Sequence, residues 1–177
     1  MRQPVTAARV EEFMKALGSG VKSPARVFLV GGATAVLLGW RDSTIDIDLK
    51  AIPERDDILR QLSTLKERLE INIELASPDN FIPELPGWED RSQFVRQEGK
   101  VTFLHYDFYA QTLAKIERSH ETDLRDIQQM IKSGLVDPER LLELFSKIES
   151  DISKYPALDA PSFRRAVELF VSHTGKD

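Results

Sequence analysis

The chain has 177 residues, 41% of them hydrophobic and 30% charged, proportions that build a folded core and exclude an intrinsically disordered polypeptide. Its net charge of −5 gives no general attraction to nucleic acid or anionic membrane, although a local basic patch is compatible with an RNA acceptor. Cysteine is absent, which excludes disulfides and thiolate metal sites; no apolar run approaches a membrane span and the start has no signal-like apolar region, so no membrane contact and a cytoplasmic location are expected.

Val10, Phe13, Met14 and Leu17 recur at helical spacing and predict an opening helix over residues 6–17, ended by Gly18 and Gly20. Val27 to Val30 is an apolar, β-branched and aromatic run that predicts a strand buried on both faces. Gly31 and Gly32 follow as a turn, and Ala33 to Leu38 as a short apolar helix. From Thr44 to Leu49 the pattern alternates, placing Ile45, Ile47 and Leu49 on a core face and Thr44, Asp46 and Asp48 on the other.

After Pro53, the stripe of Ile58, Leu62, Leu65 and Leu69 predicts a second long helix. Residues 71–76 alternate again, with Ile71, Ile73 and Leu75 on one face and Asn72, Glu74 and Ala76 on the other. The stretch from Ser77 to Arg91 holds Pro83, Pro86 and Gly87 with little periodicity, and its length suggests a lid or a substrate-facing segment. Phe81 and Trp88 within it either stack on a base or pin the segment to the core. A hairpin turning at Glu98–Gly99–Lys100 comes next.

From Asp107 the pattern is helical, with Gly134 ending one helix and Asp137–Pro138 starting another. A last helix is expected from about Ser162 to Ser172. The expectation is an α+β fold, a short mixed sheet with packed helices over residues 1–106 and a helical cluster over 107–177, packed as one compact unit.

Two features carry chemistry. The strand period sets Asp46 and Asp48 on one face, with Cα atoms roughly 6–7 Å apart, a spacing at which two carboxylates bracket divalent metal ions. The turn at Gly31 and Gly32 leaves backbone N–H groups open to phosphate, although a double glycine also serves as a plain turn. In the helical half, Lys115 and Arg118 share a face with i,i+3 spacing. They either meet a triphosphate or form ion pairs with Asp123 and Asp126. The three histidines show no metal-ligand spacing.

Strand, Gly31–Gly32, helix, then Arg41, Ser43, Thr44 and the Asp46-Ile-Asp48-Leu strand: this order resembles the signature of the DNA polymerase beta-like nucleotidyltransferase superfamily. The closer likeness is to the AbiEii-type branch, in which an Arg and a Ser or Thr precede the Asp pair. The Leu-Ala-Lys-Ile-x-Arg run followed by Asp-x-x-Asp-Ile is similar to a segment of uncharacterised bacterial nucleotidyltransferase-like proteins.

The resemblance implies transfer of a nucleoside monophosphate from an NTP to an acceptor hydroxyl, with Mg²⁺ or Mn²⁺ on Asp46, Asp48 and a third acid that activates the acceptor. Glu74 fits that third position best, ahead of Asp79 and Asp107, where backbone capping is the simpler role. Gly31, Gly32, Arg41, Ser43, Thr44 and Lys115 become the candidate nucleotide-binding residues. The acceptor is RNA, protein or a small molecule, and the AbiEii likeness suggests the toxin of a toxin–antitoxin pair with an antitoxin protein as partner. A non-catalytic nucleotide-binding or interaction module with the same fold is the alternative.

Overall fold

Thr6 begins the first helix: its hydroxyl accepts the Arg9 N–H at 3.4 Å and caps α1 (Ala7–Gly20) in the computed structural model, which describes residues 2–174. The chain then gives β1 (Ala25–Val30), α2 (Gly32–Leu37), β2 (Asp46–Ile52), α3 (Asp56–Arg68) and β3 (Asn72–Leu75). After α4 (Trp88–Arg91) come β4 (Gln93–Glu98) and β5 (Val101–His105). Four further helices follow: α5 (Phe108–Arg118), α6 (Glu121–Lys132), α7 (Pro138–Ile148) and α8 (Ala160–Thr174). The α+β class expected from the pattern is the class observed.

The chain forms two units. The first holds the residues up to Ser77 together with Ser92–Tyr106, and the second holds Pro78–Arg91 together with the chain from Asp107 onward. The proline-containing segment after β3, assigned from sequence to the core, thus lies in the helical unit.

In the first unit the five strands form one mixed sheet in the order β3-β2-β1-β5-β4. β1 runs antiparallel to β2 and parallel to β5, and β2 runs parallel to β3 through the α3 crossover. Val27, Leu29, Ile47, Leu49, Ile73 and Phe103 enter the core with Phe13, Met14 and Leu17 of α1 and Ile58, Leu62 and Leu65 of α3. Helix α3 carries Asp56 and Asp57 in its first turn and Lys66 and Arg68 in its last, which complements its dipole.

Two local expectations are corrected. Gly18 does not end α1, which runs through it and closes at Gly20. Gly18 is instead a contact residue, because a Cβ there would stand 2.5 Å from both Cβ and the carbonyl oxygen of Glu98. Ile45 is 79% exposed: β2 pairing begins only at Asp46, while Thr44 forms a separate antiparallel bridge with Val5 that leaves Ile45 outside the ladder. Leu75 is 47% exposed at the end of the edge strand β3.

The second unit buries Leu113, Ile116, Ile127, Met130, Leu141, Leu144, Phe145, Phe163 and Val167. The Phe145 and Phe163 ring centroids lie 5.0 Å apart. Asp137 accepts the Glu139 and Arg140 N–H groups and Pro138 occupies the first turn of α7, the start that the sequence predicts. Trp88 is buried and Phe81 is 56% exposed, so the tryptophan is a packing anchor.

Candidate active site

Asp46 and Asp48 point to one side of β2 because strand side chains alternate, and Ile47 and Leu49 point into the core. The parallel register with β3 sets Asp46 opposite Asn72 and Asp48 opposite Glu74. As a result Asp46, Asp48 and Glu74 each present a carboxylate oxygen, all within 4.8 Å of one another. Three hard oxygen donors at that spacing suit a divalent cation of the Mg²⁺ or Mn²⁺ type.

Asn72 was given no role by sequence reasoning, yet its side-chain amide ties the two strands together. It donates to Asp46 Oδ1 at 2.6 Å and to Glu74 Oε1 at 2.7 Å, while its own oxygen accepts from Arg2 Nη1 at 2.5 Å. The guanidinium fixes the orientation of the amide, since a flip would set its oxygen against two carboxylates. The signal was present in the alternation, which puts Asn72 on the face of Glu74.

Gly31 has φ 61° and ψ −121°, a backbone conformation open essentially only to glycine. A Cβ there would lie 3.8 Å from Asp48 Oδ2, so the turn passes directly beside that carboxylate. Gly32 is required for a different reason. A Cβ on it would fall 1.9 Å from Thr44 Oγ1 and 2.6 Å from Thr44 Cβ, so Thr44 packs against the bare backbone of the turn. Thr44 is held there by its bridge to Val5, with N···O distances of 2.7 and 2.9 Å.

Gly32→Ala is therefore expected to destabilise the fold by about 1–3 kcal/mol through overpacking, before any ligand is involved. Urea unfolding measures the loss, and pairing the change with Thr44→Gly is expected to recover most of it. Equal stability of Gly32→Ala and wild type would show that Thr44 can step aside.

Arg41 is half-buried and Ser43 exposed, both in the connection between α2 and β2. Lys115 belongs to the helical unit and is buried among carboxylates, with Nζ 3.1 Å from Asp123 Oδ1 and 3.1 Å from Asp126 Oδ2. Of its two sequence readings, the ion-pair set is the arrangement present. Burial raises the Asp123 carboxyl, but hydrogen bonds and charge from Arg118 and Lys115 outweigh it and hold the group below its ordinary value.

Asp107 caps α5 through the Tyr109 N–H at 3.1 Å and pairs with Arg91 at 2.8 Å, the capping role expected of it. Its burial nevertheless holds the carboxyl above the ordinary value. Asp79 lies in a single 3₁₀ turn, Pro78–Asn80, of the same unit. Neither of these acids belongs to the carboxylate group formed by Asp46, Asp48 and Glu74.

A family model described as "Nucleotidyltransferase of unknown function (DUF6036)" matches residues 7–170, nearly the whole chain. The chain belongs to this family. Membership in this DUF6036 family goes with an NTP as substrate class, and the acidic group is a candidate metal site. No match was found among curated proteins or solved structures. Among the described residues of this DUF6036 chain, no helix is long and apolar enough to cross a membrane.

Proposed function

We propose that the protein transfers a nucleoside monophosphate from an NTP to an acceptor hydroxyl, releasing pyrophosphate. The observation that carries this reading is the convergence of Asp46, Asp48 and Glu74, from two neighbouring strands, within 4.8 Å beside the Gly31 turn. In the balanced reaction the acceptor oxygen bonds to the α-phosphorus and the bond from that phosphorus to the pyrophosphate oxygen breaks. The hydroxyl proton passes to a carboxylate.

Asp46 and Asp48 would hold the divalent ion, with Glu74 as the third acid that takes the acceptor proton. A bound Mg²⁺ or Mn²⁺ supplies Lewis-acid stabilisation of the phosphates and the leaving group. The backbone at Gly31 and Gly32 receives phosphate oxygens, Ser43 and Thr44 offer hydroxyls, and Arg41 contributes positive charge. Lys115 is left out, because its ammonium already serves two buried carboxylates. The order Arg41, Ser43, Thr44, Asp46, Asp48 supports placement in the AbiEii-type branch of the polymerase beta-like superfamily, and with it a toxin role opposed by an antitoxin protein.

The direct test incubates purified protein with each labelled NTP, Mg²⁺ or Mn²⁺, and total RNA or total protein. Label moving to a macromolecule in a metal-dependent way supports the reading. No transfer from any NTP to any acceptor, small molecules included, would sink it. Arrest of growth on expression, relieved by a co-expressed neighbouring gene, tests the toxin role separately.

The third carboxylate has its own test. Glu74→Gln is expected to cut turnover by about a hundredfold or more, the scale of lost general-base catalysis. Asp79→Asn should keep near wild-type turnover, and Asp107→Asn should chiefly lower stability through its cap and its Arg91 pair. Full activity in Glu74→Gln with loss in either other variant would reassign the base.

A further inference from the structure

His105 is a buried, titratable side chain that the proposed reaction does not use, and it closes a hydrogen-bonded chain around the glycine turn. Thr34, fully buried in α2, donates its hydroxyl proton to the Leu29 carbonyl at 3.2 Å. That carbonyl lies one residue before the end of β1 and also accepts the Tyr106 N–H at 2.9 Å. With the single Thr34 proton committed, its oxygen accepts from His105 Nδ1, 2.9 Å away. That direction goes with the neutral Nδ1–H tautomer of His105. Burial agrees with this, because it pushes the imidazole down to about 4.

The position of this chain of bonds gives it a purpose beyond packing. A threonine within a helix ordinarily bonds back to the carbonyl three or four residues before it. Thr34 reaches five residues back to Leu29, spanning Val30, Gly31, Gly32 and Ala33. The bond therefore closes a ring over the turn, and His105, paired with Leu29 across the β1–β5 ladder, anchors that ring to the sheet. The turn so held passes beside Asp48. An apolar pair would fill the same space without any orientation requirement, whereas three buried polar groups satisfy one another in a single arrangement.

We propose that His105 and Thr34 are positioning residues for nucleotide binding, fixing the backbone of the Gly31–Gly32 turn so that its amides meet the triphosphate beside Asp48. The inference rests on the nucleotidyltransferase reading above. It adds a specific division of labour, in which the carboxylates govern metal affinity and the His105–Thr34 pair governs nucleotide affinity.

The test uses the full chain and titration calorimetry with each of the four NTPs in Mg²⁺, alongside Mn²⁺ binding without nucleotide. His105→Leu and Thr34→Val are expected to weaken nucleotide binding by about tenfold or more, the scale seen when a supporting hydrogen bond behind a ligand group is lost. Mn²⁺ affinity is expected to stay within about twofold of wild type, because the carboxylates are untouched. His105→Asn, which can place an N–H near the Nδ1 position, and Thr34→Ser, which keeps the hydroxyl, are expected to restore most of the nucleotide affinity.

Should His105→Leu fail to fold, the isosteric Thr34→Val carries the same comparison. Folded variants that bind nucleotide as wild type does overturn the inference alone. Parallel loss of metal and nucleotide binding also overturns it, since that marks a merely structural role. Wild-type protein that binds none of the four NTPs overturns the functional reading, and this inference falls with it.

Discussion

Asp46→Asn and Asp48→Asn are each expected to reduce metal-dependent transfer by about a thousandfold while the protein stays folded. The size follows from the chemistry: a metal at the reacting phosphate contributes several kcal/mol of transition-state stabilisation, and each 1.36 kcal/mol is a factor of ten. The preserved fold follows from the location. Neither aspartate is in the hydrophobic cluster; both stand on the sheet face opposite Ile47 and Leu49, in a group of three like charges. Removing one of three clustered negative charges relieves repulsion when no cation is bound.

Circular dichroism and a thermal melt in chelator, beside an assay in Mg²⁺, read both halves of the expectation. Mn²⁺ titration is expected to show weakened binding in either variant. Near wild-type turnover in Asp48→Asn would remove the pair from the reaction. A melt lowered by ten degrees or more, on the other hand, would make the pair structural.

Lys115→Met is expected to be the most damaging substitution in the helical unit, at about 3–5 kcal/mol, the cost of removing one partner from a buried charge set. The side chains of Lys115, Asp123 and Asp126 are 6%, 1% and 2% exposed, so water cannot replace the lost ammonium. Asp123 keeps Arg118 at 2.7 Å, whereas the ion pair of Asp126 with Lys115 is lost outright. For a chain of this size the loss corresponds to a fall in melting temperature of roughly 10 °C. Adding Asp126→Asn to the variant should recover part of it, because the buried charge that lost its lysine is then gone.

The pH dependence has a definite sign. Asp123 is held below its ordinary value of 3.8 in the folded state, so its contribution is present above that value and is lost as pH falls through the folded pKa. The gap between wild type and Lys115→Met therefore narrows on acidification. A folded Lys115→Met with unchanged melting temperature and weakened NTP affinity would return the lysine to the phosphates.

Much of the candidate site was legible because its parts are local. Asp46 and Asp48 are two residues apart, and a strand period of two is enough to place them on one face. Glu74 was legible through the same alternation, provided that its strand neighbours β2, which the parallel register supplies. Ile45 misled for the converse reason: alternation tells which side a residue takes within a strand but not where pairing starts. That start depends on Val5, 39 positions away along the chain, whose bridge to Thr44 sets the boundary. Gly18 misled similarly, since a glycine near a helix end reads as a terminator until the backbone of Glu98 is found against it.

What the sequence determined by itself, then, is the α+β class, the order and kind of the longer elements though not the short helix α4, the carboxylate pair and the glycine turn. Each of these follows from spacings of a few residues, where side-chain periodicity and backbone sterics leave little choice. The tertiary structure decided which groups meet. It chose ion pairing for Lys115, joined Asn72 to both Asp46 and Glu74, required Gly32 to be bare because of Thr44, and linked His105 to Thr34. Apart from Asn72 with Glu74, two positions apart, these are contacts between residues 8 to 71 positions apart, and a polar or charged side chain can satisfy itself with many partners. Only the packed chain, which removes water and leaves one partner in reach, selects among them.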